Sequence, residues 1–439
     1  MLKLFLWLRY LGKRRVVLLS IAAVAISCAL LITVASIFTG FINAFEQSAV
    51  NAMGDVILSP GGDIKDYQEL TRELEELKEV KAAAGTLSTQ GLLHLGKGNV
   101  RAVEIWGIEV QKEGKVTTFE KSLLKGKTTE PQAEGNAIEG YIGIGVLAEP
   151  NEQTDEYDFN AVEKMTGQQA VITTGSAIKK EDGVEQFKRR TIQFTIADVV
   201  FTGIYYLDSR LVYLPIDRLS KAIYPELDQP VARQIHIKLG KNADTAAAIS
   251  QIRGVWETFA SQKLGWGQQQ IQWARIETAR QMQARYVGEI RKQMGVLLLI
   301  FGVVSLSAVL LVFCIFYMLV EHRRRDVAIL KSCGATSGSV AAVFMGFGGC
   351  VGVTGAAIGT VLGYYITKNI NAVDEWIRII FGLKLWKASV YMFSTIPNEV
   401  DWQAVVWITV AAIAGAVLGA TIPAVSAALT KPVSILRYE

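Results

Sequence analysis

The sequence predicts an α-helical membrane protein with four transmembrane helices and a large extracytoplasmic α+β domain. Three observations carry that prediction. Apolar residues make up 51% of the 439 residues and charged residues 20%, with a mean hydropathy of +0.28. The apolar excess is gathered into four blocks without formal charge, at residues 16–45, 293–320, 338–367 and 402–430. Each exceeds the roughly 20 residues that cross a hydrocarbon core. Between the first two blocks lies a polar stretch, residues 46–292, long enough to fold as a globular domain.

In chain order, residues 1–15 place Leu, Phe and Trp beside Lys3 and Arg9, a pattern suited to a short helix in the inner membrane interface. The block at 16–45 is longer than the apolar core of a cleavable leader and lacks a clear A-x-A site after it, so it reads as an uncleaved anchor. Orientation follows from the basic residues. Lys3, Arg9, Lys13, Arg14 and Arg15, then Arg323, Arg324, Arg325 and Lys331, then Lys431 and Arg437 fall on one side of a four-span chain. That side is expected to be the cytoplasm, and residues 431–439 form a cytoplasmic tail. These segments hold more net positive charge than the +4 of the whole chain, so the remainder is net negative. The basic balance is a topology signal and not one for nucleic acid.

Within 46–292, MGDVILS (residues 53–59) reads as a first strand and residues 66–80 as a helix carrying Leu70, Leu74 and Leu77. Residues 86–95 and 100–108 read as strands joined by a Gly96-Lys97-Gly98-Asn99 turn. Residues 112–140 are charged and contain glycines, which suggests loops, and 149–159 suggests an exposed acidic loop. Further strands are expected at 169–174, 187–201, 211–214 and 234–239, with helices at 215–224 and 243–253, the last ending at Gly254. Residues 268–292 suggest a polar helix running into the second span. Such a rod could relay motion or serve as plain support.

VEHRRRDVAILKSCGAT, residues 320–336, separates the second and third spans. It reads as a small amphipathic helix over residues 321–337 with Val327, Leu330 and Cys333 on one face and an exit at Gly334. Contact with a soluble partner and a solvated topology-setting loop both fit it. Residues 368–401 form a second external segment.

The chemistry of catalysis is absent from the sequence. Gly126-Lys127-Thr128 resembles the end of a phosphate-binding loop, but Lys121 stands where the earlier glycine is required. No GxSxG elbow occurs, and Asp208-Ser209-Arg210 reads as a turn closed by a local side-chain bond. His94, His236 and His322 are scattered, which gives a metal site no support. Cys28, Cys314, Cys333 and Cys350 all lie outside the large domain, so no disulfide staples it.

Several stretches carry a family resemblance. The order of one span, a large external domain and three spans resembles an FtsX/MacB-type ABC-transporter permease with a MacB-like periplasmic core domain. Leu8-Arg9-Tyr10-Leu11, Lys13-Arg14-Arg15 and Gly54-Asp55-Val56 resemble its LolC/LolE lipoprotein-releasing branch. So do FTGIYYLDSRLVYLPIDRL (residues 201–219), VEHRRRDVAILKSCGAT, YMFSTIP (residues 391–397) and the closing LRYE. The resemblance implies a permease with no catalysis and no cofactor of its own, located in a bacterial inner membrane with both termini cytoplasmic. ATP and Mg would belong to a separate ABC ATPase subunit, present in two copies, and a second permease chain would complete a homo- or heterodimer.

It further implies that Glu321, Arg323, Arg324, Asp326, Val327, Ile329, Leu330 and Lys331 contact the ATPase, with Gly334 and Ala335 forming the helix exit. A lipoprotein substrate would enter from the outer leaflet and pass to a periplasmic carrier. Acyl chains need an apolar cavity, for which Ile37, Phe38, Phe41, Ile42 and Phe45 of the first span and Met294, Leu297, Leu298 and Phe301 of the second are candidates. The same residues would also suit plain helix packing. No sequence segment stands out as the external hairpin that captures the carrier. Export of another amphiphile, or FtsX-like signalling to a cell-wall hydrolase, are the alternative roles.

Overall fold

The computed structural model describes residues 15–429 apart from 97, 127–137, 152–153, 180–184 and 383. The expected interfacial helix before Arg15, the Lys127-Thr128 pair and the LRYE ending therefore lie outside the described residues. The chain divides into two units. One comprises Met1–Asn43, Val287–Val373 and Ile396–Glu439, and the other Ala44–Tyr286 and Asp374–Thr395.

The second unit is the α+β domain. Helix α1 (Arg15–Met53) ends at Gly54, whose φ of +82° turns the chain into β1 (Val56–Ser59). A Cβ at Gly54 would also lie 2.8 Å from the Ile237 carbonyl oxygen. There follow α2 (Tyr67–Glu75), β2 (Val80–His94), β3 (Val100–Ile108), α3 (Val110–Val116), β4 (Ile138–Gly143), α4 (Ile144–Leu147) and α5 (Phe159–Glu163). Then come β5 (Gln169–Lys179), β6 (Glu185–Val200), α6 (Tyr205–Asp208), β7 (Leu211–Pro215) and α7 (Ile216–Ile223). The domain closes with β8 (Gln234–Leu239), α8 (Thr245–Gln262), α9 (Gln268–Gln272) and β9 (Arg275–Thr278).

The strands are ordered β3-β7-β4-β6-β5-β2-β8-β1-β9. An added β2–β3 pairing, with Leu87 opposite Gly107, closes six of them into a ring. Pairs β3–β7 and β4–β6 are parallel and the others antiparallel. Helices α2 and α8 contribute Tyr67, Leu70, Leu74, Ile252, Trp256 and Phe259 to one continuous core. Apolar spacing along each helix puts these side chains on one face, and their burial drives the fold.

Three expectations change on seeing the structure. Residues 110–116 form α3, because Val110, Glu113 and Val116 share a buried face where a loop was expected. Helix α8 runs through Gly254, since Trp256, Phe259 and Ala260 continue its buried stripe. The stretch 268–292 is not one rod. Arg275–Thr278 leave the helix to pair with β1, burying Ile276, and this tertiary pairing outweighs local helix propensity. The helix resumes as α10 (Ala279–His322) and continues unbroken into the second apolar block.

The first unit holds the membrane-length helices. Among the described residues, four helices are long and apolar enough to cross a bilayer: α1, α10, α12 (Ser337–Lys368) and α15 (Trp402–Leu429). Between them in sequence lie α11 (Arg324–Ser332), α13 (Ile370–Phe381) and α14 (Ala388–Tyr391); α13 from Asp374 onward and all of α14 belong to the other unit. The glycine stripe of α12 works by close packing. A Cβ at Gly348 would stand 2.4 Å from the Ala420 Cβ of α15. One at Gly359 would stand 2.6 Å from the Ala25 carbonyl oxygen of α1. Small residues thus let α12 approach two neighbours at backbone distance.

Candidate functional site

Helix α10 stops at His322, and Arg323 leaves helical geometry before α11 begins. Ion pairs brace this joint: Arg324 to Glu321 at 2.8 Å, and Arg323 to Asp326. Gly334 ends the segment at a φ of +96°, a conformation that favours glycine, and Ala335 N–H donates to the Leu330 carbonyl. Thr336 then caps α12 by accepting from Ser339 N–H at 3.2 Å.

The segment has two faces, and they are not the ones that spacing suggested. Val327 and Ala328 are buried; Val327 joins Val320, Val340 and Ala427 in one cluster, with Ala335 and Phe344 packed against it. Lys331 Nζ donates to the Ala428 carbonyl at 2.7 Å, near the end of α15, where orphan carbonyls and the helix dipole favour a cation. Leu330 does not join Val327. It stands 53% exposed, as does Ile329, and Cys333 is exposed too. Of the ten candidates, Val327, Lys331 and Ala335 fasten α11 to the spans. Ile329 and Leu330 present an uncovered apolar pair, with Asp326 three and four residues before them on the helix. Ala328, fully buried, was missed because a single alanine carries little periodic signal.

The nine cavity candidates are placed differently. Ile42 is buried, while Ile37, Phe38, Phe41, Met294, Leu297, Leu298 and Phe301 are half-buried. Phe45 lies in the α+β unit, where its ring packs 4.8 Å from that of Tyr286. The membrane unit encloses a mainly apolar cavity of about 250 Å³, lined by Val24, Ser27 and Leu31 of α1, Ser305 and Val309 of α10, and Ile408 of α15. None of the nine lines it. A hydrogen bond from Ser27 Oγ to Ser305 Oγ, 2.6 Å, ties α1 to α10 there.

The α+β unit carries an open groove of about 1550 Å³ that sequence reasoning did not find. Arg101, Arg189 and Arg210 line it together with Tyr205, Tyr206 and Tyr286. The Arg210 guanidinium lies 5.1 Å from the centre of the Tyr206 ring, a cation–π contact. Part of the groove comes from the 201–219 stretch, which is held by Asp208. Its carboxylate accepts from Thr202 N–H and Oγ1, both at 2.8 Å, and from Gly203 N–H at 3.0 Å. Burial pushes the Asp208 carboxyl up to about 6, although these donors pull the other way. Asp208 is thus a local backbone clamp. Among the described residues, no group of three or more His, Cys, Asp or Glu is placed to hold a metal.

Four membrane-length helices, an α+β domain inserted after the first and a short helix between the second and third define a membrane permease with an extramembrane domain. Residues 17–255 match the MacB-like periplasmic core domain and residues 298–432 the FtsX-like permease C-terminal region. The first match spans more than half of the chain, and the protein belongs to the MacB-like periplasmic core domain family.

Within that family it is similar to the lipoprotein-releasing system transmembrane protein LolC of Neisseria meningitidis serogroup B, 26% identical over 100% of this chain and 99% of that one. It is also similar to LolE of Haemophilus influenzae, 24% identical over 98% and 97%. The solved periplasmic region of MacB from Actinobacillus actinomycetemcomitans aligns with 54% of this chain and 95% of its own at 11% identity and a TM-score of 0.33, a likeness on which nothing further rests.

Proposed function

We propose that this chain is the permease subunit of an ABC transporter that extracts lipoproteins from the outer leaflet of the inner membrane and passes them to a periplasmic carrier. The observation that carries the reading is the end-to-end similarity to LolC and LolE, which spans both the membrane helices and the α+β domain. The termini and α11 face the cytoplasm, in keeping with the basic residues around them. A separate ATPase, in two copies, docks on the exposed Ile329–Leu330 pair and its flanking charges. It binds ATP and Mg, and this chain supplies no catalytic group. A second permease chain completes the transporter.

The aromatic and arginine-lined groove suits the polypeptide part of a lipoprotein after its acyl chains have left the bilayer. We assign contact with a soluble carrier to the long paired strands β5 and β6, in register from Gln169–Thr195 to Lys179–Glu185. Their register gives no apolar alternation strong enough to have marked them as a docking element. Nine apolar candidates on α1 and α10 remain the proposed approach for acyl chains.

Depletion of the protein tests this reading. Outer-membrane lipoproteins are expected to accumulate in the inner-membrane fraction. Unchanged lipoprotein fractionation would contradict it and return the role to export of another amphiphile or to signalling.

A further inference from the structure

Helix α13 follows the third span after a single residue, Asn369, and its amphipathicity is turned inside out. Asn371 and Asp374 on its polar side bond to backbone outside the helix, while Glu375 and Arg378 pair with each other at the surface. Asn371 Nδ2 donates to the Ile396 carbonyl at 3.0 Å, and Asn371 Oδ1 accepts from Ile396 N–H at 2.8 Å. Asp374 Oδ1 accepts from Trp386 N–H at 3.3 Å, and Arg378 Nε donates to Glu375 Oε2 at 2.8 Å along the same face. The opposite face bears Val373, Trp376, Ile379 and Ile380 at i, i+3, i+6 and i+7, with Phe381 beside them. Trp376, Ile379, Ile380 and Phe381 are 65–70% exposed, and no residue of the helix is buried. A helix in water makes the reverse arrangement, with its apolar stripe inward.

We propose that the apolar face of α13 lies in the headgroup–acyl boundary of the leaflet on the side of the α+β domain, as an interfacial helix. The occupant of that face is lipid. Chain continuity supports this, because α12 leaves the bilayer at Lys368 and one residue cannot carry the chain far from the surface. The exit itself has the marks of an interface: Tyr364 packs on Trp402 at 5.9 Å, and Lys368 Nζ lies 5.7 Å from the Tyr364 ring centre. Trp376 and the branched residues of α13 repeat the composition of helices that lie in such a boundary.

The segment after α13 is bonded to the α+β domain. Tyr205 N–H donates to the Met392 carbonyl at 2.8 Å, and Ala388 N–H to Asp155 Oδ2 at 2.6 Å. The stretch from Asp374 to Thr395 is thus part of the α+β unit, and α13 is its interfacial element.

Spin labels report this directly. Trp376→Cys, Ile380→Cys and Glu375→Cys are made in full-length protein with Cys28, Cys314, Cys333 and Cys350 replaced, and each is reconstituted into phospholipid nanodiscs. At positions 376 and 380, collision with oxygen is expected to exceed collision with a water-soluble nickel chelate, giving an oxygen-to-nickel ratio several-fold above that at 375. Equal nickel access at all three positions would overturn the proposal by placing the face in water. Low access to both reagents at 376 and 380 would overturn it by showing protein, such as a second copy of the chain, over the face. All three side chains are exposed, and Ile379→Cys provides a further position on the same face.

Discussion

Asp208 carries the local side-chain bond that its sequence setting suggested, and burial decides its chemistry. It sits among hydroxyls and an arginine, yet its oxygens are committed to Thr202 and Gly203. Its carboxyl, pushed from 3.8 up to about 6, binds its proton more tightly in the folded than in the unfolded chain. The stabilisation tied to that proton is therefore present below the unfolded value and is lost as pH rises through about 6. Moving from about pH 7 to about pH 5 should add on the order of 1–2 kcal/mol from this group. Thermal unfolding of the wild type and Asp208→Asn across that range is expected to differ by this component.

On α11 the residue-scale expectation is a split. Leu330→Glu should weaken ATPase association about 30-fold, equivalent to about 2 kcal/mol, as removal of an interface anchor does. Lys331→Met should instead loosen the end of α15 and lower thermal stability before it lowers binding. A pull-down alongside a melting curve separates the two, and normal association of Leu330→Glu would remove α11 from the docking role.

At the scale of elements, packing explains what periodicity left open. The glycines of α12 form a packing stripe with two neighbours: α15 at Gly348 and Gly352, α1 at Gly355, Gly359 and Gly363. Gly359→Leu would drive a side chain into the α1 backbone at Ala25 and should cost about 3 kcal/mol or more, read as a lower melting temperature in detergent. Strands and helices with strong alternation, such as β8 and α7, were legible almost to the residue. Failures occurred where distant partners decide. The β9 segment RIET is short and mixed in propensity, lies between helical stretches, and is a strand because it pairs with β1. On α11, spacing grouped Leu330 with Val327, but Ala427 and Ala428, almost a hundred residues away, determine which side turns inward. The residues that line the interspan cavity were missed for the same reason, since Ser27 and Ser305 are brought together by the tertiary fold.

At the scale of the whole molecule, the class was legible because bilayer thickness and backbone hydrogen bonding permit so few ways to arrange four apolar blocks. A large polar insert after the first block then required its own core, and the α+β domain provides it. The proposed role rests on the end-to-end likeness to lipoprotein-releasing permeases, and α11 presents an exposed apolar pair in keeping with it. The most direct test is transfer in a defined system. Protein co-reconstituted with its ATPase, any second permease chain and an acylated lipoprotein in liposomes is given ATP and a soluble periplasmic carrier. The account predicts ATP-dependent appearance of the lipoprotein in a soluble complex with the carrier, abolished by Leu330→Glu. Retention of the lipoprotein in the liposomes while ATP is hydrolysed at a normal coupled rate would contradict it.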